Sequence, residues 1–276
     1  TQLIGLKLKQ KLKIRWIADL RDPWTDIYYY SQFNHTALAR KIDRHYERKM
    51  VENADVLITV SADIKRIFAE KSRLAIASKT IVIPNGFDDE DFRIKEVPAE
   101  SRKIITYTGT ISETYDVDSF LLALKRINAE LKPKLLIRFV GKVPLPVEQK
   151  FRDTGVDCEF VGYVDHEKSI EYLLRSDLLL LVIPKVKNNL GILPGKFFEY
   201  LASGKPVLAI GPIGGDLSVI IGETQCGSLF DYPDSEGMLR FIQDQLTHPS
   251  PSSGRESAMQ YSRKQLTGRV AQILEA

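Results

Sequence analysis

Short apolar runs rich in Val, Ile and Leu recur along the chain at 14–20, 56–60, 80–83, 104–108, 135–140, 159–161, 178–183, 207–210 and 227–230. Continuous runs of this kind, without polar alternation, suit strands covered on both faces. Between them the apolar positions take a helical period. Leu38, Ile42, Tyr46 and Met50 repeat every fourth residue, and Val117, Phe120, Leu121, Leu124, Ile127 and Leu131 form a broader stripe. Both stripes read as core faces. Asp116 stands before the second stripe and Asp165 before the helix through Ile170, Leu173 and Leu174, each placed to cap a helix N-terminus. Further helices are predicted over 147–153, 196–202, 217–221, 238–246 and 256–274. Nine strands alternating with helices predict an α/β fold with parallel sheets.

The polar, aperiodic stretch 88–102, with Pro98, reads as an interdomain linker, and a second polar break lies at 248–254. The expected division is therefore 1–90, 91–250 and a closing helix, 251–276, that packs back on the first domain. The chain has 276 residues, enough for roughly two domains. Only three strands precede Asn85, too few for a complete α/β domain. With a first residue of Thr1, the first domain reads as the C-terminal portion of a larger one. Composition is that of an ordinary folded chain, 43% hydrophobic and 27% charged, and the net charge of +3 argues against a dedicated nucleic-acid binder. Cys158 and Cys226 can build neither a disulfide framework nor a zinc site, which fits a reducing, cytoplasmic compartment. The longest apolar stretch, 178–184, is far short of the roughly 18 residues of a membrane span, and nothing near the start resembles a signal peptide.

Chemistry concentrates in Leu193-Pro-Gly-Lys-Phe-Phe-Glu-Tyr-Leu-Ala-Ser-Gly-Lys-Pro-Val207, read as a turn, a helix from Gly195 to its end at Gly204, and a strand beginning after Pro206. Lys196 in the first turn of a helix, at the positive end of its dipole, calls for an anion such as phosphate. Glu199 follows one turn later on the same face, where it could accept hydrogen bonds from ribose hydroxyls. A plain surface Lys–Glu pair is the alternative. In open α/β sheets ligands sit beyond the carboxyl ends of the strands, here Gly109, Gly141, Gly162 and Pro184. Lys142, just after Gly141, is a phosphate candidate or a solvated lysine.

The segment PGKFFEYLASGKPV resembles the donor-site helix of GT-B glycosyltransferases, in particular glycosyltransferase family 4, whose members join two Rossmann-like domains. Val82-Ile-Pro-Asn-Gly-Phe-Asp-Asp-Glu-Asp-Phe92 is similar to the segment entering the family's linker. Glu47 with Ala54-Asp-Val-Leu-Ile-Thr-Val-Ser61, and Trp16-Ile-Ala-Asp-Leu-Arg-Asp-Pro-Trp24, resemble its first-domain elements, all in the family's order. The resemblance implies transfer of a sugar from a nucleotide diphosphate sugar, a substrate rather than a cofactor, to a hydroxyl acceptor. It implies retention at the anomeric carbon, no metal and no resident cofactor, with a hexosyltransferase-like role in bacterial polysaccharide or glycoconjugate synthesis. The implied donor site comprises Gly109, Thr110, Gly141, Lys142, Gly162, Tyr163, Val164, Leu193, Pro194, Gly195, Lys196 and Glu199. Lys196, Glu199, Arg21 and Asp22 are the catalytic candidates. For Gly162, Tyr163 and Val164, assigned to the base pocket, a plain strand-to-helix turn is the alternative. Arg21, where the family often has a His facing the sugar, could instead pair with Asp22 to pin its loop.

Two departures stand out. Many members carry a second Glu eight residues before the ribose Glu, where this chain has Gly191. The Arg and Lys that often follow the first strand of the second domain are also absent, which shifts phosphate binding onto Lys196, Lys142 and strand-end amides such as those of Gly109 and Thr110. Asp116-Val-Asp118 suggests a metal motif but reads as capping. His35, His45, His166 and His248 read as surface or capping residues. Lys7, Lys9, Lys11, Lys13 and Arg15 read as a solvated face, with contact to an acidic membrane surface as the alternative. A sugar-nucleotide epimerase and a non-catalytic nucleotide-sugar binding module are the rival functions.

Overall fold

The computed structural model describes residues 2–93, 100–127, 131, 134–248 and 254–276. The middle of the expected linker, 94–99, and most of the second break, 249–253, lie outside the described residues.

The first body runs α1 (Gln2–Leu12), β1 (Ile17–Leu20), α2 (Ala37–Asn53), β2 (Val56–Thr59), α3 (Ala62–Lys71) and β3 (Thr80–Val82). Its three strands pair in the order β1-β2-β3, all parallel. The second body contains β4 (Lys103–Thr108), α4 (Asp118–Lys125), β5 (Leu135–Val140), α5 (Leu145–Arg152), β6 (Asp157–Gly162), α6 (His166–Leu174) and β7 (Leu178–Val182). It continues through α7 (Gly195–Ser203), β8 (Val207–Ile210), α8 (Asp216–Thr224), β9 (Gly227–Phe230) and α9 (Ser235–Thr247), and the chain closes with α10 (Gly254–Ala258) and α11 (Arg263–Glu275). The second sheet is ordered β6-β5-β4-β7-β8-β9, the doubly wound Rossmann arrangement, and its direction of build reverses between β4 and β7.

β7 shows why the sequence is so apolar there. Leu178, Leu180 and Val182 enter the core under α4, α5 and α9, while Leu179, Leu181 and Ile183 enter the core under α6, α7 and α8. With both faces covered, every position must be apolar. On the first sheet, one face packs against Met50, Val51, Ile64 and Phe68 of α2 and α3. The opposite face meets α11, where Leu266 and Ile273 lie against Ile58 and Ile83, and Arg269 donates to the Val82 carbonyl at 2.7 Å.

Several expectations change. The first strand is shorter than 14–20, because α1 extends to Leu12 and Lys13 turns the chain with φ 57°. Leu38, Ile42 and Tyr46 are not a core face: they are 67%, 44% and 37% exposed, and α2 buries Glu47, Met50 and Val51 instead. Asp116 caps nothing, since α4 starts two residues later with no side-chain cap, and Asp116 pairs with Lys185 at 3.3 Å. Asp165 does cap α6, accepting from the Lys168 amide at 2.8 Å. The terminal helix is broken at Tyr261, where Ser262 caps a new helix. The Lys7–Arg15 alternation is not one face, because a period of two winds around a helix, and Lys9 turns inward to Asp55 at 2.6 Å.

Candidate active site

The strand order reverses between β4 and β7, the place where open α/β sheets bind ligands, and glycine stands at the carboxyl ends of β4 and its neighbours β5 and β6. Gly109, Gly141 and Gly162 end β4, β5 and β6 with φ of 90°, 135° and 81°. A Cβ on Gly141 would lie 2.3 Å from the Gly109 carbonyl oxygen, so only glycine lets these two backbones meet. The Gly109 amide is already committed to the Val140 carbonyl at 2.8 Å, which removes it as an anion donor; the Thr110 amide has no partner among the described residues.

Lys196 reaches this edge from α7. No side chain caps the helix, and the space above Gly195 is open. The Lys196 ammonium donates to the Thr108 carbonyl at 2.9 Å and sits 3.6 Å from the Tyr107 ring centroid. Burial drives its pKa down to about 7, with Glu199 opposing the shift. A cation held at the end of β4 with a carbonyl and a ring for company lacks a counter-charge, and an arriving anion would restore its proton.

Glu199 does not pair with Lys196. Its Oε1 lies 4.0 Å from His166 Nδ1, and His166 Nε2 lies 2.8 Å from Asp91 of the 3-10 turn Glu90–Phe92. Burial raises the Glu199 pKa, and His166 is the main group lowering it. Glu199 and Gly195 line a cavity of about 500 Å³ with Arg21, Asn85 and Arg263. The two side chains predicted to bracket a nucleotide thus diverge from one helix, Lys196 to the sheet edge and Glu199 to the space between the bodies. His166, expected at the surface or in a cap, stands between Asp91 and Glu199. Its place directly after the cap Asp165 fixes it in the first turn of α6, the one sequence signal pointing to this edge.

A second cavity, of about 320 Å³, is lined by Arg21, Asp22, Tyr28, Tyr29, Tyr115, Leu193 and Pro194 among others. Arg21 pairs not with Asp22 but with Asp19 at 2.8 Å, and reaches the Ile83 carbonyl at 3.3 Å, joining the ends of β1 and β3. Asp22 has no hydrogen bond or ion pair among the described residues, and burial raises its pKa. The loop after it is anchored from below. Glu47, fully buried, accepts from the Thr25 amide at 3.2 Å, from the Thr25 hydroxyl and from Lys71 at 2.7 Å, and Lys71 also pairs with Asp26. At Gly191 the bodies leave no room for a side chain: a Cβ there would lie 2.6 Å from Ser61 Oγ. Beside it, Asp216 accepts from the Ala62 and Asp63 amides at 2.9 and 3.0 Å, capping α3 from the other body.

The remaining candidates stand apart from these cavities. Tyr163 is 93% exposed, Val164 half-buried, and Lys142 exposed with no side-chain partner among the described residues; the Thr110 carbonyl accepts from Tyr107 at 2.9 Å. No cluster of metal-ligating side chains occurs among the described residues.

The family model for glycosyl transferases group 1 matches residues 88–265. A probable glycosyltransferase, WbjE of Pseudomonas aeruginosa, is 21% identical over 253 residues, 86% of this chain and 61% of that relative's length. The structure superposes on sucrose-phosphate synthase of Thermosynechococcus elongatus with a TM-score of 0.72 and 19% identity, over 99% of this chain and 70% of that one. It superposes on Anabaena HepE in complex with UDP and glucose with a TM-score of 0.73 and 15% identity, over 100% of this chain and 75% of that one.

Proposed function

Because the chain belongs to the glycosyl transferases group 1 family and has the GT-B fold of two Rossmann-like domains, we propose that it transfers a sugar from a nucleoside diphosphate sugar to a hydroxyl acceptor, with retention. The observation carrying this reading is the placement of Lys196, partly buried at the carboxyl end of β4 where the strand order reverses. In this role the diphosphate lies between Lys196 and the uncapped start of α7, with the Thr110 amide at its side. Negative charge grows on the leaving diphosphate as the glycosidic bond breaks, and a cation already fixed there stabilises that charge without reorganising. The anion also completes the protonation of Lys196, so the charge is greatest when the donor is bound. Glu199 accepts the two ribose hydroxyls. Arg21 and Asp22 face the sugar and acceptor in the neighbouring cavity, where Tyr28 and Tyr29 supply rings for a sugar to stack on. The base lies along Gly162, Tyr163 and Val164. Lys142 and the backbone at Gly109 and Gly141 complete the edge that the diphosphate crosses. Gly195 leaves the helix start open, and Leu193 and Pro194 form its wall. No step is assigned to a metal or a cofactor.

The proposed setting is bacterial polysaccharide or glycoconjugate synthesis in the cytoplasm, supported by the bacterial curated relative. Peripheral contact with the inner membrane face belongs to the same proposal, supported by exposed Ile4, Leu8 and Leu12 beside exposed Lys7 and Lys11 on α1. Among the described residues no helix is long and apolar enough to cross a membrane. The test is release of nucleoside diphosphate from a panel of sugar nucleotides, with and without sugar acceptors. Lys196→Ala is expected to abolish release while leaving the fold intact; an unchanged rate overturns the assignment, and free epimerised sugar without acceptor transfers the protein to the epimerases.

A further inference from the structure

His166 stands between two carboxylates. Its Nε2 is 2.8 Å from Asp91 Oδ2, and its Nδ1 faces Glu199 Oε1 at 4.0 Å. A neutral imidazole donates from one nitrogen only, whereas the imidazolium donates from both, so this arrangement favours the charged ring. We propose that His166 is a positioning residue of the donor site: pinned by Asp91, its imidazolium holds Glu199 as an ionised, aimed acceptor for a pair of vicinal ribose hydroxyls. The inference rests on the reading of Glu199 as the ribose carboxylate.

The chemistry requires such a device. A carboxylate accepts two hydroxyl protons at once, but a protonated carboxyl carries a proton of its own and competes with the diol. Glu199 is partly buried, and burial favours its neutral form; His166 opposes this most strongly, followed by Arg263 at the start of α11 and Lys196 on α7 itself. Asp91 acts on both partners, raising the His166 pKa through its hydrogen bond and repelling Glu199 through space. Three charged groups face the pair: Asp91 from the 3-10 turn, Lys196 from α7 and Arg263 from α11. Arg263 and Glu199 share the interbody cavity, while Asp91 lies at the exit from the first body, so the ribose carboxylate is tied to the segment where the chain crosses over.

The experiment is equilibrium binding of UDP, GDP and ADP across about pH 4.5 to 8, with the tightest of the three followed in each variant. Wild type loses affinity on the acid side as Glu199 protonates, at a pH where His166 is already charged. Removing a cation from beside a carboxylate raises that carboxylate's pKa, so His166→Gln is expected to move the acid limb upward by about one pH unit. His166→Lys restores a cation and is expected to bring the limb back. A merely structural role would weaken binding equally at all pH values and would not be rescued by charge. The side chain is 54% exposed, and melting without nucleotide verifies that both variants fold. Glu199→Gln is expected to weaken binding and abolish the limb. If Glu199→Gln weakens binding while His166→Gln leaves the limb in place, the inference fails and the ribose reading stands. If Glu199→Gln binds as wild type does, or none of the three nucleotides binds, the reading and the inference both fail.

Discussion

Lys196 is held at the end of β4 without a counter-charge, an arrangement that costs the unliganded fold. Its pKa of about 7 in the folded protein compares with the usual 10.5, so between these values the unfolded chain binds more protons and stability rises with pH. Lys196→Met removes the titrating group. Melting curves without nucleotide are expected to show wild type gaining on the variant as pH rises from about 7 toward 10; parallel curves would mean that the ammonium is solvated. Gly191 presents the opposite case, a residue defined by lack of space. The family's second glutamate could not stand there, because Ser61 Oγ would lie 2.6 Å and Asp63 Cβ 3.0 Å from its Cβ. Gly191→Glu is expected to destabilise the protein rather than improve nucleotide binding, with even Gly191→Ala costing about 1 to 3 kcal/mol in denaturant melts. The sequence showed the departure at 191 but not its cause, which lies in a contact between residues more than a hundred positions apart.

At the scale of elements, what could be read in advance follows from how completely each element is enclosed. β7 and α7 are buried against neighbours on known sides, and their patterns located them to within a residue or two. α2 did not comply. Of its stripe Leu38, Ile42, Tyr46 and Met50, the first three point outward and only Met50 is buried, and its inward face includes a charged residue, Glu47, which an apolar pattern cannot reveal because its burial depends on Lys71 and Thr25 arriving from other elements. The expected contrast is large: Met50→Ala should cost about 2 to 5 kcal/mol, Leu38→Ser about 0.5 kcal/mol or less, by chemical denaturation. Comparable losses would return the stripe to the core. α7 was legible because Gly195, Gly204 and Pro206 punctuate it, whereas the His166–Glu199 approach was not, since nothing in local spacing brings the starts of α6 and α7 together.

The whole molecule places two sheets of parallel strands so that the start of α7 and the end of β1 line shared cavities, beside which Lys196 reaches the carboxyl end of β4. Asp216 and Gly191 hold the bodies in contact beside them, and α11 binds the chain's end to the first sheet. Under the proposed function this space is the nucleoside diphosphate site, organised by Lys196. Thermal unfolding of wild type and Lys196→Ala with UDP, GDP and ADP tests it most directly. At 100 times its Kd, one of the three should stabilise wild type by about 2.7 kcal/mol and leave Lys196→Ala nearly unmoved. Equal stabilisation of both proteins, or no response of wild type to any of the three, would contradict it.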